Sequence, residues 1–172
     1  FTLAREVDPT SAFGGILGFN RRVTAQTAEE IVKNFVEAVV APGFDPEALK
    51  LFAAKKNVRL MEMPQMESPT NNVKYDLKRI GGGLLVQSPD TLTYIEDQLK
   101  IVSERKPDDR EMEDMKFAWV VAKHVKSNAI VYAKDKEILG IGAGQMSRVD
   151  SARVAVEKAC KPLKGGVMAS DA

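Results

Sequence analysis

The chain has 172 residues, of which 44% are hydrophobic and 28% charged, and its formal net charge is +1. These proportions are typical of a globular domain and indicate neither a disordered chain nor a membrane protein. Because the charges nearly cancel, the sequence gives no bulk attraction to nucleic acid or to an anionic membrane, and neither is expected as a partner. The length suits one domain or two small lobes.

The cysteine content and the N-terminal residues bear on the cellular compartment of the protein and on whether sequence precedes residue 1. Cys160 is the only cysteine, so it has no partner for an intrachain disulfide and no companions for a zinc site, which favours a reducing compartment and hence the cytoplasm. No apolar run reaches the ~20 residues that span a bilayer, and the order of a signal peptide is missing. Residues 1–5 lack an initial methionine and are typical of the end of a helix, so we expect further sequence upstream.

Helical and extended patterns alternate along the first half, which predicts a layered α/β fold. Thr27 with Glu30 three residues later has the spacing of a capping box, and Asp45 followed by Pro46 is typical of a helix start. The predicted elements are a strand at 15–20, a helix beginning near 24, a strand at 37–41, a helix beginning at 46 with Leu49 on its buried side, a strand at 58–63 and an exposed loop at 64–72.

The second half continues the alternation. Asp135-Lys136 between two apolar runs predicts a hairpin turn, and the apolar content around Trp119 and Val120 predicts a helix buried over most of its last turns. The predicted elements are strands at 75–80 and 84–87, one strand near 99–102 within a polar connection at 89–107, a helix at 108–123, a hairpin of strands 129–134 and 137–141, and a last helix whose apolar side is Ala152, Val156 and Ala159.

A glycine-rich segment precedes the last helix. Gly140, Gly142 and Gly144 are predicted to form a loop between strand and helix, with Ser147 as the cap and Arg148 in the first turn. The unpaired N–H groups of a helix start attract an anionic or strongly polar ligand. The spacing matches neither G-x-G-x-x-G nor a P-loop. The alternative is a turn that needs glycine only for its backbone conformation.

Two further segments carry polar side chains where a ligand could bind. Asn128 lies between a predicted helix and a predicted strand, and its amide matches a carboxamide or a heterocycle edge, although capping the backbone is an equally good explanation. The loop from Asp8 to Gly15 offers small residues and Phe13 for stacking, or is simply the entry to a strand. Glu37 opens an apolar strand, where a buried carboxylate needs either a ligand or a salt bridge.

Lys123 and His124 suggest an acid–base pair, but a histidine stabilised by the dipole at a helix C-terminus is the favoured interpretation. His124 is the only histidine, which leaves little for a Cys-His or Ser-His-Asp triad. The HxE and CxxC elements of a zinc deaminase are missing, so no zinc is expected.

Six blocks together carry a family resemblance. They are DPTSAFGG at 8–15, VVAPGF at 39–44, RIGGGLLVQ at 79–87, VKSNAIVYAK at 125–134, GIGAGQMSRVDSA at 140–152 and MASDA at 168–172. In this order they resemble 5-aminoimidazole-4-carboxamide ribonucleotide (AICAR) formyltransferase, the larger half of the bifunctional formyltransferase/IMP cyclohydrolase. Six collinear blocks make the resemblance far more specific than any single motif.

The resemblance implies a cytidine-deaminase-like layered α/β/α fold without zinc chemistry. It implies formyl transfer from 10-formyltetrahydrofolate to the amino group of the AICAR nucleotide in purine biosynthesis, in a cytoplasmic homodimer. Residues 1–172 would then be a partial formyltransferase domain, truncated at both ends, with two subdomain portions at about 1–88 and 108–172 and without the cyclohydrolase domain.

The resemblance also assigns site residues. Phe13 and Gly14 would border the nucleotide, Glu37 matches a carboxylate position at the site where some members carry aspartate, Asn128 would contact the carboxamide region and Arg148 the nucleotide. Val149 would lie on the folate side, and bound potassium is expected near Val125, Ser127 and Asp171.

The catalytic residues remain unknown, because the family's Lys-His pair precedes DPTSAFGG and does not align with Lys123-His124. The leading hypothesis is therefore a part of the formyltransferase that is inactive by itself. The alternative is a non-catalytic nucleotide-binding or dimerisation module on the same scaffold. Under the leading hypothesis, the Asp8 loop, Asn128 and Arg148 share one pocket.

Overall fold

The computed structural model describes residues 1–67 and 75–171. In chain order its elements are α1 (Thr2–Glu6), β1 (Gly15–Gly18), α2 (Ala25–Val32), β2 (Val36–Ala41), α3 (Pro46–Ala53), β3 (Arg59–Glu62), β4 (Asp76–Ile80), β5 (Gly83–Gln87), α4 (Asp109–Lys123), β6 (Ile130–Lys134), β7 (Glu137–Gly142), α5 (Arg148–Glu157) and β8 (Val167–Ser170). The predicted α/β class is confirmed. Within these ranges, none of the helices combines the length and apolar character that crossing a membrane requires.

Two compact units make up the chain. The continuous unit comprises residues 13–92, and the discontinuous unit comprises residues 1–12 together with 93–172. Ion pairs tie the first twelve residues to the second half, because Lys161 reaches Glu6 at 3.3 Å and Lys158 reaches Asp8 at 3.2 Å. The first twelve residues thus group with the second half, whereas the sequence suggested subdomain portions at about 1–88 and 108–172.

A parallel sheet in the order β1-β2-β3 forms the centre of the continuous unit. Its two crossover connections contain α2 and α3, which pack against each other. This is expected, because two successive right-handed crossovers in the same direction place their helices on the same face of the sheet. Its buried apolar residues from these helices and β2 are Ala28, Ile31, Val36, Val39, Ala41, Ala48 and Phe52. The strands predicted at 15–20, 37–41 and 58–63 are therefore confirmed.

Helix caps in this unit differ from the prediction in detail. Thr24, not Thr27, caps α2, because its hydroxyl accepts the N–H of Thr27 at 3.3 Å. Asp45 occupies the N-cap position of α3, but its carboxylate accepts from Arg22 Nε at 3.2 Å instead of from a helix N–H. Leu49 is exposed, so its predicted burial was wrong. It lies beyond the narrow stripe set by Ala48 and Phe52.

The strands β4 and β5 pair as an antiparallel hairpin in which every side chain is exposed. The loop predicted at 64–72 begins with a 3-10 turn at Pro64–Glu67, and residues 68–72 lie outside the described part of the chain. The strand predicted near 99–102 was wrong. That polar connection instead holds a 3-10 turn at Glu96–Gln98, because few of its side chains alternate between apolar and polar.

The discontinuous unit has an antiparallel sheet in the order β7-β6-β8. Ala118 and Ala122 of α4 belong to one buried cluster with Val131, Ala133 and Ala169 of the sheet. The residues that alternate with these on β6 and β7 point to the opposite face, where α5 packs. This unit is therefore a helix–sheet–helix sandwich.

The predicted burial of α4 was too extensive. Trp119 and Val120 are exposed, and the buried positions of α4 are Asp114, Ala118 and Ala122. The Asp114 carboxylate accepts the backbone N–H groups of Asp135 at 2.9 Å and Lys136 at 2.8 Å. It thereby stabilises the predicted β6–β7 turn, in which both residues have positive φ. The sequence did not predict Asp114 as a core residue, because charged side chains are rarely buried.

Helix α5 contacts the backbone of β7 directly. A Cβ on Gly142 would lie 1.8 Å from the carbonyl oxygen of Ser151, and one on Gly140 would lie 2.2 Å from that of Ala155. Gly140 and Gly142 therefore belong to β7, where the lack of a side chain lets the backbone of α5 approach closely. The predicted loop starts only after Gly142. The buried residues of α5 are Ser151 and Ala155. The sequence predicted Ala152 and Val156 on the buried side of α5, and this was wrong by one residue. Ser151 and Ala155 face the sheet instead, because their small side chains fit against the two glycines.

Substitution of Gly142 by alanine is expected to destabilise the chain by about 2 kcal/mol or more, since α5 must move away from β7 to admit the methyl group. Urea unfolding followed by circular dichroism measures the difference.

Gly81→Ala is the matched control, because a Cβ there meets nothing within 4 Å, and it should change stability by no more than about 0.5 kcal/mol. Equal effects of the two substitutions would contradict the close helix–strand contact.

Candidate functional site

The junction between α4 and β6 places Asn128 against the segment that precedes α5. The Asn128 side-chain nitrogen donates to the carbonyl oxygens of Gln145 at 2.8 Å and Met146 at 3.1 Å. Its backbone oxygen accepts from the buried Ser151 hydroxyl at 2.6 Å. The peptide bond between Ser127 and Asn128 is cis. Asn128 is therefore fixed in both backbone and side chain by the beginning of α5.

Arg148 extends from the first turn of α5 to the end of β8. Its Nε donates to the Ser170 hydroxyl at 3.0 Å, and its Nη2 donates to the Asp171 carboxylate at 3.2 Å. Asp171 also accepts a hydrogen bond from the Ser127 side chain and one from the Ala129 N–H. Through Asp171, the structure joins Arg148 to the residue next to Asn128. Three of the sequence-predicted site residues, Arg148, Ser127 and Asp171, thus belong to one polar network.

This network keeps the Asp171 carboxyl ionised. The bond from the Ser127 hydroxyl, then the Ala129 N–H and the Arg148 guanidinium, lower the pKa of Asp171 from 3.8 to about 2. A carboxylate bound by several donors holds those donors in place, so it orders the Arg148 side chain and the Ser127–Asn128 segment together.

Other predicted residues lie around this network. Val149 is exposed in the first turn of α5, and Val125 packs on the edge of the buried cluster of α4 and the sheet. Ser147 is the N-cap of α5 but makes no capping bond with its side chain. Gly144 has a φ of +68°, so it needs the left-handed conformation that glycine allows.

Asp8 lies at the other end of α5. Its carboxylate accepts from the backbone N–H of Ser11 at 3.0 Å and its hydroxyl at 2.9 Å, and it pairs with Lys158. These bonds, with that from the Ser11 N–H as the largest cause, hold the pKa of Asp8 below its ordinary value. Lys158 is the C-cap of α5, and the ten residues of the helix span about 15 Å. Asp8 thus pairs with the residue that ends α5, whereas Arg148 begins this helix.

The continuous unit brings together its own three candidates. Gly14, with a φ of +70°, donates its N–H to the Phe35 carbonyl at 3.0 Å, and the rings of Phe13 and Phe35 have centroids 4.9 Å apart. Phe13 is 75% exposed. Two residues beyond Phe35, Glu37 lies beside a cavity of about 410 Å³ lined also by Lys56, Asn57, Val58 and Arg59.

Glu37 is not buried as predicted, since 46% of its side chain is exposed. Its carboxylate accepts from Arg59 Nη1 at 2.8 Å, which is the salt bridge considered as the alternative to a ligand. Because Glu37 is the second residue of β2, at the amino edge of the sheet, solvent reaches the side chain. An apolar run in the sequence does not distinguish this edge from the sheet centre.

Two other features add nothing to this site. His124 is an exposed C-cap of α4, as the helix-dipole interpretation expects. Within residues 1–67 and 75–171, no three His, Cys, Asp or Glu side chains are grouped so as to hold a metal ion. The functional residues that sequence reasoning missed are Ser151 and Ser170. Nothing in the local pattern marks them, because their partners are 22 or 23 residues away.

The lowered pKa of Asp171 predicts a pH dependence of stability. Since the folded pKa lies below the ordinary 3.8, the carboxylate stabilises the fold fully above about pH 5, and this contribution is lost as the pH falls towards about 2. Asp171→Asn should therefore unfold more easily than the parent chain at pH 7, and the difference in the free energy of unfolding should shrink below pH 4. Urea titrations at pH 7, 5, 4 and 3 measure it.

Ser127→Ala serves as the companion variant. It removes the largest cause of the shift, so its acid-induced loss of stability should be smaller, and complete at a higher pH, than in the parent chain. A difference between Asp171→Asn and the parent that stays constant from pH 7 to 3 would contradict the network.

Comparison with known proteins identifies the family. The profile described as "AICARFT/IMPCHase bienzyme" matches residues 1–158. Proteins named "Bifunctional purine biosynthesis protein PurH" are similar: that of Magnetococcus marinus is 52% identical over 100% of this chain and 34% of its own length. That of Polynucleobacter asymbioticus is 55% identical over 98% of this chain and 32% of its own.

The protein of the same name from Neisseria meningitidis is 52% identical over 100% of this chain and 33% of its own length. This chain thus spans about a third of the length of the curated relatives it matches. The profile match covers most of the residues and the identities are above half, so the chain belongs to the AICARFT/IMPCHase bienzyme family.

Proposed function

We propose that this chain is part of a formyltransferase that moves a formyl group from 10-formyltetrahydrofolate to the amino group of the AICAR nucleotide, in the biosynthesis of the purine nucleotide IMP. Family membership supports the reaction class. The observation on which the proposal rests most is the network in which Asp171 joins Arg148 to the Ser127–Asn128 segment. The network holds the Arg148 guanidinium in place, and the amide of Asn128, the residue after Ser127, is held by its bonds to Gln145 and Met146. Recognition of a small polar heterocycle requires polar groups fixed in this way.

In this proposal, each residue has a limited task. Asn128 binds the carboxamide region of the nucleotide, and Arg148 contributes positive charge and N–H donors to it. Phe13 and Gly14 border the nucleotide, with the exposed ring of Phe13 available for stacking. Glu37 supplies a carboxylate position at the site. Val149, exposed beside Arg148, lies on the side of the folate co-substrate.

Formyl transfer makes a bond between the nucleotide amine and the formyl carbon, and negative charge develops on the formyl oxygen. Donors held in place before the reaction stabilise such charge without having to reorganise. Arg148 is held in this way by Ser170 and Asp171. Removal of the amine proton needs an acid–base group. Because Lys123 and His124 do not align with the family pair, the chain is proposed to supply binding and orientation, and not proton transfer.

A potassium ion near Val125, Ser127 and Asp171 is also part of the proposal. Potassium is bound by carbonyl, hydroxyl and carboxylate oxygens. Ser127 donates its hydrogen to Asp171 and keeps lone pairs on its oxygen, and the Asp171 carboxylate is ionised, so the oxygens present fit such an ion. An ion there would neutralise part of the carboxylate charge beside Arg148.

The family resemblance also supports proposals about the fold, the oligomeric state and the cellular compartment. We propose that residues 1–172 form part of a formyltransferase domain of cytidine-deaminase-like fold. The helix–sheet–helix sandwich of the discontinuous unit supports this. We further propose a homodimer in the cytoplasm.

Nucleotide binding tests the site directly. Titration of the 15N-labelled chain with the AICAR nucleotide should shift the Asn128 and Arg148 signals, with a dissociation constant of roughly 1 mM. Unchanged signals at those residues up to about 10 mM would remove the nucleotide from this site. Asn34, whose amide donates to the Glu30 carbonyl at 2.8 Å within the continuous unit, provides a signal that should not shift.

Formyl transfer tests the assignment of roles. The 172-residue chain at micromolar concentration, given both substrates, is expected to produce no formylated nucleotide, because no general base is assigned in it. Measured turnover would contradict this division of roles.

The second candidate is a non-catalytic nucleotide-binding or dimerisation module. The fixed positions of the Asn128 and Arg148 side chains favour it as a runner-up, since a fixed site can bind without catalysing. Calorimetry distinguishes the two: micromolar affinity of the chain for the nucleotide together with no turnover favours the module.

A further inference from the structure

Phe35 lies in the short connection between α2 and β2, at residues 33–35. Asn34 closes the end of the helix, because its backbone N–H donates to the Ile31 carbonyl at 2.9 Å and its side-chain nitrogen donates to the Glu30 carbonyl at 2.8 Å. The residue after Phe35 begins β2, which is hydrogen-bonded to a strand on either side. The backbone of Phe35 is therefore fixed from both directions.

The same residue contacts Phe13 and Gly14 in three ways. Its carbonyl oxygen accepts the Gly14 N–H at 3.0 Å. Its ring lies against the ring of Phe13, with the centroids 4.9 Å apart and the planes tilted by 37°. A Cβ on Gly14 would lie 3.4 Å from Cε1 of Phe35, so an α-hydrogen of Gly14 points at this ring. One fixed residue thus holds both the backbone of Gly14 and the side chain of Phe13.

Of the two rings, that of Phe13 needs the support. Phe13 is 75% exposed, whereas Phe35 is 46% exposed. An exposed ring that contacts little protein changes rotamer freely unless a neighbour holds it. Two aromatic rings at this separation attract each other beyond the area that they bury. The contact with Phe35 consequently favours one orientation of the Phe13 ring before a ligand arrives.

We infer that Phe35 is a positioning residue of the nucleotide site: it orients the Phe13 ring for stacking on the base and touches no ligand itself. The inference rests on the proposed function, which places Phe13 at the border of the nucleotide, and it adds the residue on which that ring depends. A ring that is already held does not have to be ordered on binding, so affinity rises without a new ligand contact.

Leucine at position 35 removes the ring and keeps the rest. Phe35→Leu retains an apolar side chain and the carbonyl that Gly14 binds, but it offers no flat face to Phe13. Titration of the chain with the AICAR nucleotide, observed through the NMR signal of the nucleotide's own ring hydrogen, should show an affinity lower by about threefold to tenfold. Phe35→Tyr keeps the ring and should bind within about twofold of the parent chain. Leu49→Ala is the matched control, because Leu49 is also 46% exposed, and it should leave the affinity unchanged.

A second substitution shows whether Phe35 acts through Phe13. When Phe13→Leu is already present, Phe35→Leu should change the affinity by less than about 1.5-fold, since no ring is left to orient. A general loss of stability would instead lower the affinity in both backgrounds. Urea unfolding of each variant verifies that it is folded under the conditions of the titration.

The ligand-free chain carries a spectroscopic signature of the same contact. Because an α-hydrogen of Gly14 points at the Phe35 ring, the ring displaces the NMR signal of that hydrogen from the position usual for glycine. Phe35→Leu should return the signal to the usual position, and Phe35→Tyr should keep it displaced.

The outcomes separate the inference from the proposed function. Equal affinity of Phe35→Leu and the parent chain for the nucleotide overturns the positioning role and leaves the nucleotide site standing. A drop of the same size in the Phe13→Leu background overturns it too, because Phe35 then acts by another route. A Gly14 signal that is identical in the parent chain and in Phe35→Leu contradicts the ring contact. Failure of the parent chain to bind the nucleotide up to about 10 mM overturns the proposed nucleotide site, and the inference with it.

Discussion

The polar network depends on the close approach of α5 to β7. With glycine at positions 140 and 142, the helix backbone rests on the strand, and the carbonyl oxygen of Ser151 occupies the space where a side chain of residue 142 would be. This contact brings the Ser151 hydroxyl within 2.6 Å of the Asn128 carbonyl. A helix at the usual spacing from a sheet would leave that bond unmade, so packing of small residues fixes the geometry of the polar groups.

Charge then organises what packing has brought together. Asp171 accepts from Ser127, Ala129 and Arg148, so one carboxylate connects the end of β8 with the beginning of α5 and the beginning of β6. Each bond is made by an element that belongs to the same sandwich. The arrangement is consequently rigid without any covalent link, and its polar groups are oriented before a ligand arrives, which lowers the cost of binding.

The sequence predicted the elements better than the burial. Alternating patterns and turn residues located most of the strands and all the longer helices, because Pro46, Asp45 and the Asp135-Lys136 turn act locally. Burial depends on neighbours distant in the chain. Asp114 is buried because a turn 21 residues later supplies two N–H donors, and Trp119 is exposed although its segment is apolar. Collinear motifs indicated Asn128 and Arg148 as site residues, but only the fold could show that Asp171 joins Arg148 to Ser127, the residue before Asn128.

The discontinuity of one unit has a consequence for synthesis on the ribosome. Residues 1–12 belong with residues 93–172, and residues 13–92 form a unit of their own. During synthesis residues 13–92 are all available before residues 93–172, whereas residues 1–12 must wait for partners such as Lys158 and Lys161. Closing so long a stretch of chain costs conformational entropy and slows the step. The nascent chain should therefore acquire structure from its middle, and its first helix should be among the last segments to become protected from proteases.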